Sequence, residues 1–343
     1  MDLYDILIIG GGPTGLFGAY YAGLRGMRTL IVDALPTLGG QLTALYPEKY
    51  IYDMPGFPRV LARDLAANLV EQGLQYGADA RLEERVETLT SDGETVTALT
   101  GRGTYHAKTA LITAGMGAFR PKTHPAPGIE ALEGRGIAYH VRDKGAYAGK
   151  HVVIVGGGDS ALDWALNLQD TAERITLVHR RDAFRAHEET VVAAKNAPKV
   201  SFRLFHEIRA AHGDEWLESI TLFHNKTNAE ETIPTDAALL CLGFSADLGP
   251  IRSWGLEIHK NSIVVNERME TNVPRVYAAG DVTTHGGKLK LIATGVGEAT
   301  IAVNFAKTAI DPKASAFPGH SSEINDPVRS VSVETAGMAA SAE

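Results

Sequence analysis

The chain has 343 residues, of which 44% are apolar and 22% charged, and its formal net charge is −8. These values fit a globular protein long enough for two domains, and they exclude a disordered or fibrous chain. The negative charge argues against nucleic acid as a main partner, and the lack of a long apolar run or a basic, apolar leader leads us to expect a cytoplasmic protein without a membrane partner.

The first predicted element is a strand over residues 6–9 that runs into a glycine-rich turn. The turn reads Gly10-Gly11-Gly12-Pro13-Thr14-Gly15, and the N–H groups of the helix expected after it can bind a pyrophosphate. The next strand, 29–32, ends in Asp33. A carboxylate there can accept hydrogen bonds from ribose hydroxyls but would repel a 2′-phosphate. These features predict a dinucleotide site for an unphosphorylated adenosine.

The following segment combines a loop of small residues with a tract rich in tyrosine. Gly39-Gly40-Gln41-Leu42 is followed by three tyrosines and two acidic residues in 46–53. Such a tract can lie against a flat ligand, or its rings can simply be buried. A helix is expected over 62–76 and short strands through 80–113. The last strand, 110–115, ends in small residues that let its backbone approach a cofactor.

A second glycine-rich turn repeats the first after a predicted domain crossing at 115–121. Residues 152–155 predict a strand, and Gly156-Gly157-Gly158-Asp159-Ser160-Ala161 follows it. At the same spacing as Asp33, the next strand ends in His179-Arg180-Arg181. Guanidinium groups bind a 2′-phosphate through paired hydrogen bonds, which predicts NADPH here. A solvated basic helix start is the alternative for these arginines, and one glycine turn alone would be weak evidence.

The rest of the chain predicts a return to the first domain. A helix is expected near 187–196, and a buried strand over 238–243 would hold Cys241 in its middle. Gly249-Pro250 marks the return, after which a strand ends at Gly280-Asp281 and a helix follows over about 292–309. In related folds, the first turn of such a helix, here near 288–291, points N–H groups at the ligand of the first site. Alternatively, the lysines of this turn solvate a loop or help to dock an acidic partner.

These motifs together resemble the flavin-dependent reductases built like thioredoxin reductase, over residues 4 to about 310. The resemblance implies an α/β fold with two Rossmann-like three-layer dinucleotide-binding domains. It also implies FAD in the first site, with Asp33 at the adenosine ribose and Asp281 at the ribityl and pyrophosphate groups. The implied domains are an FAD-binding domain at 1–117 and 247–312, an NADPH-binding domain at 118–246, and a tail at 313–343 that covers the flavin and has a disordered end.

The chain departs from thioredoxin reductases at the redox thiols. Those enzymes carry a Cys-x-x-Cys pair shortly before the second glycine turn, where this chain has Tyr139-His140-Val141-Arg142. Cys241 is the single cysteine, and a small apolar filler is the usual role of a lone buried cysteine. Electrons that reach the flavin therefore cannot pass to a protein disulfide within this chain.

Three further segments are similar to the thioredoxin-reductase-type ferredoxin–NADP⁺ reductases. They are the tract 44–53, the helix start 158–165 and His320-Ser321-Ser322 in the tail. This resemblance implies that Tyr46 stacks on one face of the flavin and that His320 covers the other, from the same chain or from a dimer mate. A plain surface position in the tail is the alternative for His320.

The sequence thus assigns candidate residues to two cofactors and to no metal, because the histidines are scattered. The catalytic candidates are Tyr46 and His320. The candidates for FAD are Gly10, Gly12, Pro13, Thr14, Gly15, Asp33, Gly40, Gln41, Leu42, Tyr46, Ala114, Gly115, Gly280, Asp281, Lys290 and Leu291. The candidates for NADPH are Gly156, Gly158, Asp159, Ser160, His179, Arg180, Arg181 and Arg185.

The expected function is FAD-dependent electron transfer between NADPH and ferredoxin or flavodoxin, in a homodimer. A flavin accepts two electrons as a hydride and can release them singly. Two alternatives stay open: an NADPH-dependent diaphorase of small acceptors, and a flavin redox sensor without turnover. The basic residues after the second-site strand count against the sensor, which has no need of NADPH. The two domains are expected to rotate about the crossings near 115–117 and 243–250.

Overall fold

The computed structural model describes residues 2–115 and 117–319. The α-helices in this part of the chain are α1 (Pro13–Leu24), α2 (Gln41–Ala44), α3 (Ala62–Leu74), α4 (Asp159–Leu168), α5 (Glu188–Asn196) and α6 (Ile292–Ile310). The strands of the first half are β1 (Leu3–Ile9), β2 (Thr29–Val32), β3 (Tyr50–Ile51), β4 (Val60–Leu61), β5 (Asp79–Arg81), β6 (Val86–Ser91), β7 (Val96–Thr100), β8 (Thr104–Ile112), β9 (Ala118–Pro121), β10 (Ile137–Ala138) and β11 (His151–Val155). Those of the second half are β12 (Arg174–His179), β13 (Val200–Leu204), β14 (His206–His212), β15 (Ser219–His224), β16 (Glu230–Pro234), β17 (Ala237–Leu240), β18 (Phe244–Asp247), β19 (Ile258–His259), β20 (Ser262–Val264), β21 (Val276–Ala278) and β22 (Thr283–Thr284).

The first large sheet is formed mainly by parallel strands. Its order is β5-β2-β1-β8-β7-β6, and β21 pairs in parallel with the carboxyl half of β8. The side chains of Ile6, Leu7 and Ile8 in β1 are 0% exposed, as expected for a strand whose two faces are both covered. Helix α1 contacts both α3 and α6 beside this sheet. Because β21 comes late in the chain, the chain leaves this sheet after β8 and returns to it.

The second large sheet lies between two layers. Its order is β10-β17-β11-β12-β13, and all of its strand pairs are parallel. Val152 and Ile154 of β11 pack with the buried side chains of α4, whereas Val153 and Val155 pack with Ile220 of the antiparallel sheet β14-β15-β16. Successive side chains of β11 point to opposite faces of the sheet, so one set packs on α4 and the other on the antiparallel sheet. This unit has three layers.

The register of the first sheet explains how distant motifs come together. Ile9 lies opposite both Val32 and Ile112, and Ala278 lies opposite Ile112. The residues that follow these four strands therefore meet at the carboxyl edge of the sheet, where open α/β folds bind their ligands. These residues are Gly10, Asp33, Thr113 and Ala279.

The two segments that cross between the sheets pair with each other. Ala118 lies opposite Asp247, and Pro121 lies opposite Phe244, in an antiparallel ribbon of β9 and β18. Two chain passages therefore run side by side between the units. The exact domain boundaries at 117, 246 and 312 stay predictions.

The three helices predicted at 62–76, 187–196 and about 292–309 are confirmed as α3, α5 and α6, with bounds that differ by one or two residues. Two finer predictions are wrong. Residues 288–291 precede α6 instead of forming its first turn, and Leu291 is its N-cap. Strand β17 ends at Leu240, so Cys241 follows the strand instead of lying in its middle. Within residues 2–115 and 117–319, every helix is too short or too polar to cross a bilayer.

Candidate functional site

The first glycine turn leaves no room for side chains at two of its positions. A Cβ on Gly10 would lie 2.6 Å from the carbonyl oxygen of Thr113, and a Cβ on Gly15 would lie 1.9 Å from that of Gly10. Gly10 also has a φ of +111°, a conformation that other residues rarely adopt. Gly12 is the N-cap of α1 and has no side chain to cap it. The N–H groups of the first helical turn, which lack partners within a helix, can therefore face an anionic ligand.

Asp33 is held at the end of β2 by backbone donors. The amide of Gly11 donates to Oδ2 at 2.5 Å and the amide of Leu35 donates to Oδ1 at 2.7 Å. Burial raises the pKa of Asp33, and these two N–H donors oppose the rise. Each carboxylate oxygen has a second lone pair, so the group can still accept hydrogen bonds from the hydroxyls of a ribose.

A cavity of about 680 Å³ lies at this edge of the first sheet. Its volume falls within the range of roughly 300–1,000 Å³ that is usual for cofactor sites. All the candidates for FAD except Gly15, which packs against Gly10, line this cavity. The structure thus brings together the residues that sequence motifs selected from widely separated segments. A cavity of this volume with a glycine turn and a buried carboxylate fits an adenine dinucleotide.

Tyr46 and Asp281 lie in the wall of the same cavity. Burial together with the negative charges of Asp281 and Asp53 raises the pKa of Tyr46 to about 12. The Tyr46 hydroxyl therefore stays protonated at neutral pH. Its half-buried ring is available to lie against a planar group in the cavity.

The sequence patterns missed several residues of the cavity wall. Glu84 and Arg85 directly precede β6. Ile251 lies in a short 3₁₀ helix over Gly249–Ser253, and Trp254 directly follows that helix. These positions lie in irregular connections that carry no recognisable motif. Their place in the wall depends on tertiary packing alone.

The most deeply buried charged group near the cavity was also missed. Glu298 of α6 is 4% exposed and accepts a hydrogen bond from the amide of Gly280 at 2.7 Å. The Nζ atom of Lys288 lies 2.6 Å from each of its carboxylate oxygens, and Nε2 of His285 lies 2.9 Å from Oε1. A signal exists in the sequence: Glu298 is the acidic residue on a helix face otherwise made of small residues at helical spacing, Gly295, Ala299 and Ala302.

The second glycine turn is built like the first. A Cβ on Gly156 would lie 2.6 Å from the carbonyl oxygen of Cys241, and Gly158 is the N-cap of α4 without a side-chain cap. No atom lies within 4 Å of a Cβ placed on Gly158, so the space in front of this helix is open. Asp159 uses its Oδ1 to accept the amide of His187 at 3.0 Å, whereas Ser160 is exposed.

The basic cluster lies beside this second turn. The ring of His179 packs against the backbone of Gly157 and stacks on Phe184 with 5.2 Å between ring centroids. Burial lowers the pKa of His179, and the positive charges of Arg180, Arg181 and Arg185 lower it further. The structure therefore gathers Arg180, Arg181 and Arg185 around His179. All three are exposed, and the amide of Arg185 donates to the carbonyl of Gly157 at 2.8 Å.

An ion pair connects the surroundings of the two turns. Lys49, three residues after Tyr46, places its Nζ atom 2.5 Å from Oδ2 of Asp163 in α4. The two side chains are 23% and 28% exposed. The tyrosine tract beside the first site thus touches the helix whose N-terminus forms the second site.

Comparison with known proteins places these two sites in a family. The family described as pyridine nucleotide-disulphide oxidoreductase matches residues 4–304. The chain belongs to this family. The match spans the first glycine turn, the second glycine turn and Glu298, and it therefore covers the whole of the geometry described above.

Individual relatives in this family cover nearly the whole chain. A protein of Shouchella clausii named ferredoxin–NADP reductase 2 is 51% identical over 94% of this chain and 98% of its own length. A ferredoxin–NADP reductase of Halalkalibacterium halodurans is 50% identical with the same coverage. Among solved structures, the thioredoxin reductase of T. acidophilum is similar with a TM-score of 0.79 at 25% identity, over 90% of this chain and 99% of its own. The fold is thus that of thioredoxin reductase, as expected from the sequence.

This member of the family has a single cysteine. The amide of Cys241 donates to the carbonyl of Val155 at 2.8 Å, so the residue continues the second sheet just past β17. Burial raises the pKa of its thiol to about 12, which keeps the sulfur protonated and unreactive.

In the segment that replaces the redox thiols, Nε of Arg142 donates to Nε2 of His140 at 3.0 Å. His320, the predicted flavin cover, lies outside the described residues. In the described part of the chain, no group of three or more His, Cys, Asp or Glu side chains is placed to hold a metal ion.

Proposed function

We propose that this chain transfers electrons between NADPH and a ferredoxin or flavodoxin, with FAD in the first nucleotide site. One observation carries the proposal: the chain combines two nucleotide sites with a single, partly buried cysteine. Electrons that enter from NADPH have no second thiol in the chain to reduce, so they leave to a separate acceptor. The relatives named ferredoxin–NADP reductase, about half identical over nearly the whole length, support this acceptor class.

The first site supplies what FAD requires. FAD, when bound, accepts two electrons from NADPH and passes them on one at a time. The N-terminus of α1 binds its pyrophosphate, and Asp33 accepts hydrogen bonds from the adenosine ribose. Tyr46 packs its ring against the isoalloxazine, and Asp281 orients the ribityl chain. The glycines of the turn allow the cofactor to approach the backbone closely.

The second site selects NADPH over NADH. The N-terminus of α4 binds the pyrophosphate, and Arg180, Arg181 and Arg185 bind the 2′-phosphate. His179 supports this cluster from beneath, since its ring is packed between Gly157 and Phe184. Its depressed pKa keeps the ring neutral beside three cations.

The proposal also covers location, assembly, the tail and the carrier. The protein is a cytoplasmic homodimer, and His320 from the tail covers the flavin face opposite Tyr46. The carrier is a ferredoxin or flavodoxin, docked where the flavin edge is accessible.

The decisive experiment measures both half-reactions separately. The purified protein, with its bound FAD, is mixed with NADPH in a stopped-flow spectrometer, and the reduced form is then mixed with oxidised ferredoxin or flavodoxin. We expect NADPH to bleach the flavin absorbance and the carrier to restore it. Transfer to quinones or iron chelates but not to either carrier would support the diaphorase alternative. A flavin that NADPH leaves oxidised would support the sensor.

Replacing Cys241 with Ser should leave both half-reactions within about twofold of the original rates, because the single thiol has no partner in the chain for a disulfide. The matched measurement is the same stopped-flow pair, with the Tm recorded to show that the fold is kept. Loss of most of the flavin reduction or of the carrier reduction in a folded variant would contradict a thiol-free route.

A further inference from the structure

We propose that Glu298 and Lys288 are positioning residues of the first nucleotide site, and that their opposite charges set how readily the bound flavin accepts electrons. The inference rests on the proposed function, because it requires FAD in the cavity. It concerns two residues that line no part of the cavity themselves. They act through the backbone and side chains that do.

Glu298 joins the two segments that flank one end of the cavity. Its carboxylate accepts the amide of Gly280 at 2.7 Å, and Gly280 and Asp281 line the cavity. The same carboxylate binds Lys288, which lies two residues before the lining residue Lys290. Glu298 therefore ties the turn after β21 to the loop before α6. Movement of either segment would displace cavity wall.

Stability alone does not account for a buried ion pair at this place. The side chains of Lys288 and Glu298 are 7% and 4% exposed. Replacing such a pair with apolar residues of similar size is often neutral or stabilising, since removing two charges from water offsets their attraction. A neutral acceptor would also satisfy the amide of Gly280. The charges themselves therefore have another consequence. Besides His285, whose Nε2 lies 2.9 Å from Oε1 of Glu298, the neighbouring structure that responds to these charges is the cavity wall at Asp281.

The charges of Lys288 and Glu298 affect the pKa of Asp281, which lines the cavity. Burial raises the pKa of Asp281. The positive charges of Lys288 and Lys290 oppose that rise, whereas the negative charge of Glu298 adds to it. Both members of the pair thus act, with opposite signs, on a side chain that lines the site. Any electron-rich group bound beside Asp281 is subject to the same two charges, weakly screened because both are buried.

The test uses the full-length, FAD-bound protein and the variants Glu298→Gln, Lys288→Met and their combination. The midpoint potential of the flavin is measured by titration against a reference dye at one pH, together with the affinity for FAD. Removing the negative charge leaves a cation that favours the reduced flavin, and removing the cation leaves a carboxylate that disfavours it. We expect the ratio of affinities for reduced and oxidised flavin to rise about tenfold in Glu298→Gln and fall about tenfold in Lys288→Met. For a two-electron couple, tenfold equals about 30 mV. The combined variant should return towards the original value.

Matched controls come from an ion pair in the same unit. Lys108 and Asp5 lie 2.7 Å apart near the start of β1, at the opposite end of that strand from the glycine turn. Lys108→Met and Asp5→Asn should leave the potential unchanged. Lys288→Arg keeps the charge and should also leave it unchanged. If Glu298→Gln yields no folded protein, the comparison of Lys288→Met with Lys288→Arg still decides the sign.

Shifts of the same sign in the two single variants, or shifts below about threefold while FAD stays bound, would overturn the inference. Such results would mean that the ion pair has only a structural role. An original protein that carries no flavin would overturn the proposed function instead, so the two failures are distinguishable.

Discussion

Arg180 and Arg181 directly follow β12, at the position proposed to bind the 2′-phosphate of NADPH. Changing either to Ala should weaken NADPH binding, because each charge-assisted hydrogen bond contributes roughly 1.5–3 kcal/mol, or about 10- to 150-fold in affinity. NADH lacks the phosphate, so its binding should hardly change. Equilibrium titration of the oxidised protein with each nucleotide measures both values.

The control for this prediction is Arg209→Ala, which removes an arginine of the second unit that pairs with Glu230 at 3.0 Å. It should alter neither affinity. Equal weakening of NADPH and NADH in the Arg180 and Arg181 variants would show that these side chains do not distinguish the phosphate.

Tyr46 allows a similar test of the first site. Replacing it with Ala should shift the visible spectrum of the flavin and weaken FAD binding by roughly 2- to 13-fold, since an aromatic stack contributes about 0.5–1.5 kcal/mol beyond its buried area. Tyr52, which is 67% exposed in the same tract, provides the matched control in Tyr52→Ala. An unchanged spectrum and FAD affinity in Tyr46→Ala would remove Tyr46 from the stacking position.

At the scale of elements, the turn between β1 and α1 depends on a contact that admits no side chain. Gly15→Ala would place a Cβ 1.9 Å from the carbonyl oxygen of Gly10, so the turn must shift. We expect a loss of at least about 1–3 kcal/mol in the free energy of unfolding, with weaker FAD binding because the N–H groups of α1 move with the turn. Thermal unfolding and FAD titration measure the two effects.

Gly101→Ala is the control, because no atom lies within 4 Å of a Cβ at that glycine. Its unfolding and FAD affinity should stay close to those of the original chain. A Gly15→Ala variant that matches it in both measurements would mean that the turn relaxes without cost, contrary to this account.

The turns were predictable from the sequence because their signals are local. About ten consecutive residues contain the strand, the glycine run and the helix start. The parallel sheet then brings the strand ends to one edge. Trp254 and Glu298 were not predictable in this way. Their positions depend on how distant segments pack, and a single tryptophan or glutamate carries no pattern that reports its neighbours.

The placement of residues 288–291 shows the same limit at a helix start. The first turn of the last helix was expected near 288–291, yet the helix begins at Ile292 because Leu291 has extended backbone with φ −124° and ψ 150°. Lys288 is drawn inwards by Glu298, a partner ten residues along the chain. Helix propensity alone gives no account of such a partner.

For the whole molecule, two structural elements bear on the expected rotation of the two units: one allows it and the other opposes it. The crossing segments form the β9–β18 ribbon, a two-stranded connection about which the units can turn. The ion pair between Lys49 and Asp163 joins the tyrosine tract to α4 and holds the arrangement seen here. A partly exposed pair contributes up to about 1 kcal/mol, and less at high salt.

If rotation precedes flavin reduction, Lys49→Met and Asp163→Asn should each speed the reduction by NADPH, by up to about fivefold at low salt. Each variant removes the same contact, so the double variant should be no faster than either single one. The rates come from stopped-flow mixing at saturating NADPH, with Glu231→Gln as a control that breaks the Arg203–Glu231 pair within the second unit. Additive effects of the two substitutions would show that they act separately. Rates equal to that of the original chain would show that this contact does not restrain the step that limits reduction.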